Sequence, residues 1–202
     1  MPIDPSAPTR DRLIAATVEC LRANGLNGLT SREITSRAGA NLQAITYYFD
    51  SKDALIAAAL TELFERRLDP VRAALEADGP PVERLLAAVT TIKATFPEGR
   101  DDLRTYADAM AACSTNPALA QSLGDLHAGL GRYLSALITE MQDEGFIAAW
   151  VSPDAMAALL IALGDGLTAQ ANFREPNVAS VLDQLALLLV NASSAAGSVE
   201  PT

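Results

Sequence analysis

Gln43, Ala44 and Thr46 open a short helical run behind a tight turn, a placement suited to recognising another molecule. A glutamine amide offers a donor and an acceptor together and can pair bidentately with adenine. An alanine or the Thr46 methyl can touch the methyl of thymine, provided the helix enters a major groove N-terminus first. Reactive groups are otherwise sparse. The one candidate nucleophile and base are Cys113 and His127, and no third group orients either of them. With a single histidine, every multi-histidine metal site is excluded. The spacings G-x-x-x-x-G-K-[ST], G-x-G-x-x-G and G-x-S-x-G do not occur, and Gly164-Asp165-Gly166 falls inside a helical pattern. The expectation is a protein that is not an enzyme and uses no cofactor and no metal.

The elements that must position Gln43 are readable from caps and breaks. Ile14, Val18 and Leu21 recur at helical spacing, so a helix is expected from Thr9 to about Asn24, ended by Asn24-Gly25. Thr30-Ser31-Arg32-Glu33 matches a capping box, in which the Thr30 hydroxyl accepts from the amide of Glu33 and the Glu33 carboxylate reaches back. Ala38-Gly39-Ala40 then turns the chain, and Asn41 can cap a third helix running from Leu42 to about Tyr48. Two short helices joined by such a turn are the sequence form of a helix-turn-helix. Ile34 and Ile45 are expected in its small core with Val18 and Leu29, and one of Tyr47 and Tyr48 beside Phe49. Ser51 caps a long helix, and Asp69-Pro70 suggests a restart with proline in the first turn. Further helices are expected over 81–96, 100–114, 117–143, 153–173 and 177–192, before a frayed tail over 193–202.

Composition agrees with an all-α chain. The sequence has 202 residues, with 38 Ala and 28 Leu against 18 Val and Ile together, which disfavours any β architecture. Two cysteines without C-x-x-C spacing point to free thiols in a reducing compartment. The longest apolar stretch is too short for a membrane span and the N-terminus lacks a signal-peptide pattern, so a cytoplasmic protein is expected. Taken over the whole chain, the net charge of −10 argues against nucleic acid. It is unevenly spread: residues 1–55 carry 6 basic and 6 acidic groups, and the whole excess of acid lies in 56–202.

The run from Thr9 to Leu60 resembles the N-terminal domain of the TetR family of bacterial transcriptional regulators. The resemblance is carried by Arg10, Leu13, Ile14 and Ala16 in the first helix and by Gly25-Leu26. It continues through Thr30-Ser31-Arg32-Glu33-Ile34, Arg37-Ala38-Gly39-Ala40-Asn41 and, most specifically, Tyr47-x-Phe49-x-Ser51-Lys52-x-x-Leu55. It implies a three-helix DNA-binding domain over 1–55 and a helical effector-binding and dimerisation domain over 56–202. It also implies that Thr30, Arg32, Asn41, Tyr47, Tyr48 and Lys52 join Gln43, Ala44 and Thr46 at the DNA, with phosphate contacts fixing position and base contacts specifying sequence.

In the second domain the apolar pattern of Val181, Leu182, Leu185, Leu188 and Leu189 suggests a homodimer interface, as does the small-residue line Ala158, Ala162, Gly166. An effector pocket follows from the resemblance, with Ile92, Phe96, Tyr106, Met110, Cys113, His127, Leu130 and Leu134 as candidate lining for a small hydrophobic molecule. The implied function is a ligand-responsive repressor that binds a palindromic DNA operator as a dimer and is released by its effector. The alternative from another class is a helical small-molecule-binding or scaffold protein without DNA binding.

Overall fold

The computed structural model describes residues 4–96, 100–170 and 177–191, and the described residues form helices and turns only. The first helix, α1, spans Thr9–Asn24, and a short 3-10 turn at Leu26–Gly28 leads to α2, Ser31–Ala38. Next come α3, Gln43–Phe49, and α4, Lys52–Glu76. The remaining helices are α5 (Pro81–Thr95), α6 (Arg100–Ala112), α7 (Pro117–Asp143), α8 (Pro153–Gln170) and α9 (Val178–Asn191). Two expectations, the break at Pro97-Glu98-Gly99 and the tail over 193–202, lie outside the described residues, as does the end of the helix expected over 153–173.

The anticipated restart at Pro70 does not occur. α4 runs through it as one helix with Pro70 inside. A proline there removes one backbone hydrogen bond and costs about 3 kcal/mol. Continuing the helix keeps Leu63 and Phe64 before it, and Val71 and Leu75 after it, buried. Burying one such side chain contributes roughly 1.5–3 kcal/mol, so four of them outweigh the proline.

The chain divides into two compact units: Met1–Arg67 with Asp101–Leu126, and Leu68–Arg100 with His127–Thr202. The first unit is organised round Leu13, Leu21, Ile34, Leu55, Leu60 and Leu119, all essentially inaccessible to solvent. Thr17, fully buried among them, satisfies its hydroxyl by donating to the Leu13 carbonyl at 2.8 Å. The segment Asp101–Leu126 is tied to α1 by a two-pronged pair, Arg22 Nε to Asp102 Oδ1 at 2.7 Å and Arg22 Nη2 to Asp102 Oδ2 at 3.1 Å. No pattern within 1–55 announces that partnership.

The second unit has two apolar clusters. Val71, Leu75, Leu85, Leu137, Met141 and Ile147 belong to one, and Val89, Leu167, Val178 and Leu182 make the other. The turn between α7 and α8 is closed by the Gln142 amide, which donates to the carbonyls of Ala148 at 3.0 Å and Val151 at 2.7 Å. Arg84 pairs with Glu140 and donates from Nε to the Leu75 carbonyl at 2.7 Å.

Candidate nucleic-acid interface

Short helices depend on their ends, because an eight-residue helix leaves about half of its backbone groups without internal partners. Each short helix here is capped. Thr30 Oγ1 accepts from the Glu33 amide at 3.2 Å, and Asn41 Oδ1 accepts from the Ala44 amide at 2.9 Å. Ser51 Oγ accepts from the Ala54 amide at 3.0 Å and starts α4. The second half of the anticipated capping box is absent. Glu33 instead accepts from Asn24 Nδ2 at 2.7 Å, and Arg37 lies 3.8 Å from the same carboxylate. The carboxylate thus links α2 to the end of α1, a pairing that the Thr30–Glu33 spacing does not reveal.

Gly39 makes the turn between α2 and α3 in the left-handed conformation, φ 60 and ψ 38. A side chain on that backbone would be strained, which is why glycine stands there. Asp50 ends α3 with φ 65, an unusual position for a residue with a Cβ. Between these ends, Ile45 and Phe49 face inward and are buried. The guanidinium of Arg10 lies 5.4 Å from the Phe49 ring centre, within cation–π range.

The inward turn of Ile45 and Phe49 puts the polar side of α3 in solvent. Gln43 and Thr46 are exposed, and Ala44 is half-buried. Both tyrosines point outward, contrary to the expectation that one would enter the core. Tyr47 is 80 % exposed and Tyr48 42 %, and their rings meet edge to face at 4.8 Å. Phe49 and Ile45 already fill the space beneath the helix, and the phenol oxygens stay hydrated where they are. Tyr47, Tyr48, Gln43, Asn41 and Arg12 line one open groove of about 450 Å³.

The other proposed contacts are dispersed round this helix. Arg32 is exposed on α2, Thr30 is engaged as a cap, and Lys52 Nζ donates to the Leu29 carbonyl at 3.3 Å. The groove also contains a group that sequence reading missed. Arg12 sits on α1, where helical periodicity assigns it only to an outer face, yet it shares the groove with α3.

The pocket candidates are not gathered by one unit. Tyr106, Met110 and Cys113 belong to the first, where Tyr106 packs edge to face on Phe64 at 4.7 Å. Ile92, Phe96, His127, Leu130 and Leu134 belong to the second, with Phe96 against the cluster of Val89 and Leu182. His127 Nε2 lies 3.6 Å from Asp165 Oδ1, and that carboxylate raises the histidine pKa against the opposing effect of burial. Cys113 is half-buried with its thiol pushed up by burial, the reverse of an activated nucleophile.

Of the dimerisation candidates, Leu182 is buried within its own chain against Val89, Leu167 and Val178, and Val181 and Leu185 are half-buried beside them. Ala158, Ala162 and Leu188 are exposed, Gly166 is half-buried, and the Leu189 side chain lies outside the described residues. Leu159 and Leu187, outside the expected interface set, are also open to solvent at 60 % and 57 %.

A capped helix-turn-helix with its second helix presenting polar groups is the form of a DNA-reading module. Comparison with known proteins agrees. The family profile "Bacterial regulatory proteins, tetR family" matches residues 13–59, and "BetI-type transcriptional repressor, C-terminal" matches residues 81–189. The chain belongs to the TetR family of transcriptional regulators, which are DNA-binding factors and not enzymes. The HTH-type transcriptional regulator PksA of Bacillus subtilis is 25 % identical over 166 residues, covering 80 % of this chain and 78 % of PksA. Among solved structures, Salmonella enterica GusR is 26 % identical with a TM-score of 0.71, over 95 % of this chain and 100 % of that one. A TetR transcription regulator from Haloarcula marismortui shares the fold at a TM-score of 0.77 and 24 % identity, covering 91 % and 97 % of the two chains. Among the described residues no helix is long and apolar enough to cross a membrane.

Proposed function

We propose that this regulator is a ligand-responsive repressor that binds a palindromic operator as a homodimer and leaves it when a small hydrophobic effector binds. The observation that carries the DNA-reading part is the exposure of Gln43, Thr46, Tyr47 and Tyr48 on a short helix whose other face is anchored by Ile45 and Phe49. In this reading Gln43, Ala44 and Thr46 meet base edges. Thr30, Arg32, Asn41, Tyr47, Tyr48 and Lys52 position the duplex through its phosphates. The reading head comprises residues 1–55, and residues 56–202 form the effector-binding and dimerisation part.

The description of the profile matching 81–189 supports repression. The exposed Ala158, Leu159, Ala162 and Leu188 on α8 and α9 support self-association, since covering apolar side chains left open to water is favourable. A two-fold dimer presents two copies of α3 and so matches a site whose halves are related by the same symmetry. Effector release requires unequal affinity of the ligand for the operator-binding state and for a state with mis-spaced recognition helices. Selection of bound duplexes from a random pool tests the proposal. It is expected to yield an inverted repeat, and a pool that stays unenriched would contradict it.

A further inference from the structure

Arg12 stands in the groove beside α3 with an unmet donor. Its Nη2 donates to Thr9 Oγ1 at 3.1 Å, but its Nε is buried and has no hydrogen-bond partner. Its Nη1 lies 3.8 Å from the position a Cβ on Gly39 would occupy, so the guanidinium lies along the turn that precedes α3. The groove is lined by Thr9, Asn41, Tyr47 and Tyr48 among others, and no lining residue is acidic. A guanidinium that lines an open groove, with no carboxylate in that groove to neutralise it, is suited to an incoming oxyanion. A guanidinium also presents two parallel donors to a phosphate, and it keeps its charge at any ordinary pH.

We infer that Arg12, held by Thr9, seats a DNA backbone phosphate in this groove and is a positioning contact for the duplex read by α3. This rests on the DNA-reading proposal above and adds α1 to the interface. The geometry selects a backbone phosphate over a free anion because the same groove is walled by Gln43, Tyr47 and Tyr48. A phosphate bound there would flank the bases that α3 meets.

The test compares wild type, Arg12→Gln and Arg12→Lys on a duplex recovered by selection, with melting temperature followed by circular dichroism. Arg12→Gln is expected to reduce the slope of log affinity against log salt by about 0.9 and to weaken selected and unrelated duplexes alike, about tenfold. Arg12→Lys is expected to keep the slope while losing several-fold affinity, because the fork is gone and the charge remains. An unchanged slope in Arg12→Gln, with a lowered melting temperature or without one, overturns the inference and leaves the DNA-reading proposal standing. Wild type that binds no duplex in a salt-dependent way overturns both. Inorganic phosphate at matched ionic strength is expected to leave duplex binding unchanged. Its displacing the duplex from wild type but not from Arg12→Gln would assign the groove to a free anion instead.

Discussion

Around α3 the exposed side chains are Gln43, Thr46, Tyr47 and Tyr48, whereas on α8 and α9 they include Leu159, Leu187 and Leu188. The first surface hydrates well and needs fixed geometry. It is therefore set on short helices held by side-chain caps at Thr30, Asn41 and Ser51. The second surface hydrates poorly and needs area, so it is presented by long helices that carry apolar groups on several sides. Specific polar recognition is built from positions that tolerate no shift. Apolar association tolerates adjustment and is built from bulk. The charge follows the same division, with residues 1–55 balanced and the acidic excess confined to 56–202.

The largest effect is expected where the polar surface is supported from beneath. Ile34 is wholly buried under the turn, so Ile34→Ala should lower unfolding stability by about 2–5 kcal/mol. Chemical denaturation measures it, and loss of DNA binding should track unfolding. Gln43→Ala leaves the core untouched and should instead change preference at one base position by about 1–3 kcal/mol, read by competition with single-base variants. Thr30→Ala removes a cap and should cost about 1 kcal/mol, with a weaker α2 as the cause.

On the other surface, Leu159→Asp should change the stability of the isolated chain by no more than about 0.5 kcal/mol, yet shift sedimentation equilibrium toward monomer. The combination separates surface from core, since a core residue cannot take aspartate so cheaply.

The smallest effect concerns His127. Its folded pKa lies above the ordinary value because Asp165 favours the charged ring. The pair's stabilisation is therefore complete below the histidine's unfolded pKa and is lost as pH rises through the raised folded one. Melting followed across that window should show this dependence in wild type and lose it in His127→Gln.

Sequence reading reached the first surface more fully than the second for a physical reason. Caps and left-handed turns act within a few residues, so α1 could be bounded at Thr9 and Asn24, and the cap residues Thr30, Asn41 and Ser51 could be named. Contacts between distant segments leave no such local mark. Glu33 chooses Asn24, and Arg22 reaches Asp102 across 80 positions of sequence. Arg12 looks like an ordinary surface residue on α1 until α3 is set beside it. For α9, periodicity identified a wide apolar stripe but could not divide it. Leu182 lies in the chain's own core, while Leu188 is left in solvent. Pro70 misled because its local cost is visible and the burial on both sides of it is not.

Two-fold operator binding is tested most directly by comparing a selected operator with a single half-site by gel shift at one salt concentration. Two chains are expected to bind the full operator far more tightly than one chain binds the half-site. A half-site that binds one chain as tightly as the full operator would contradict it.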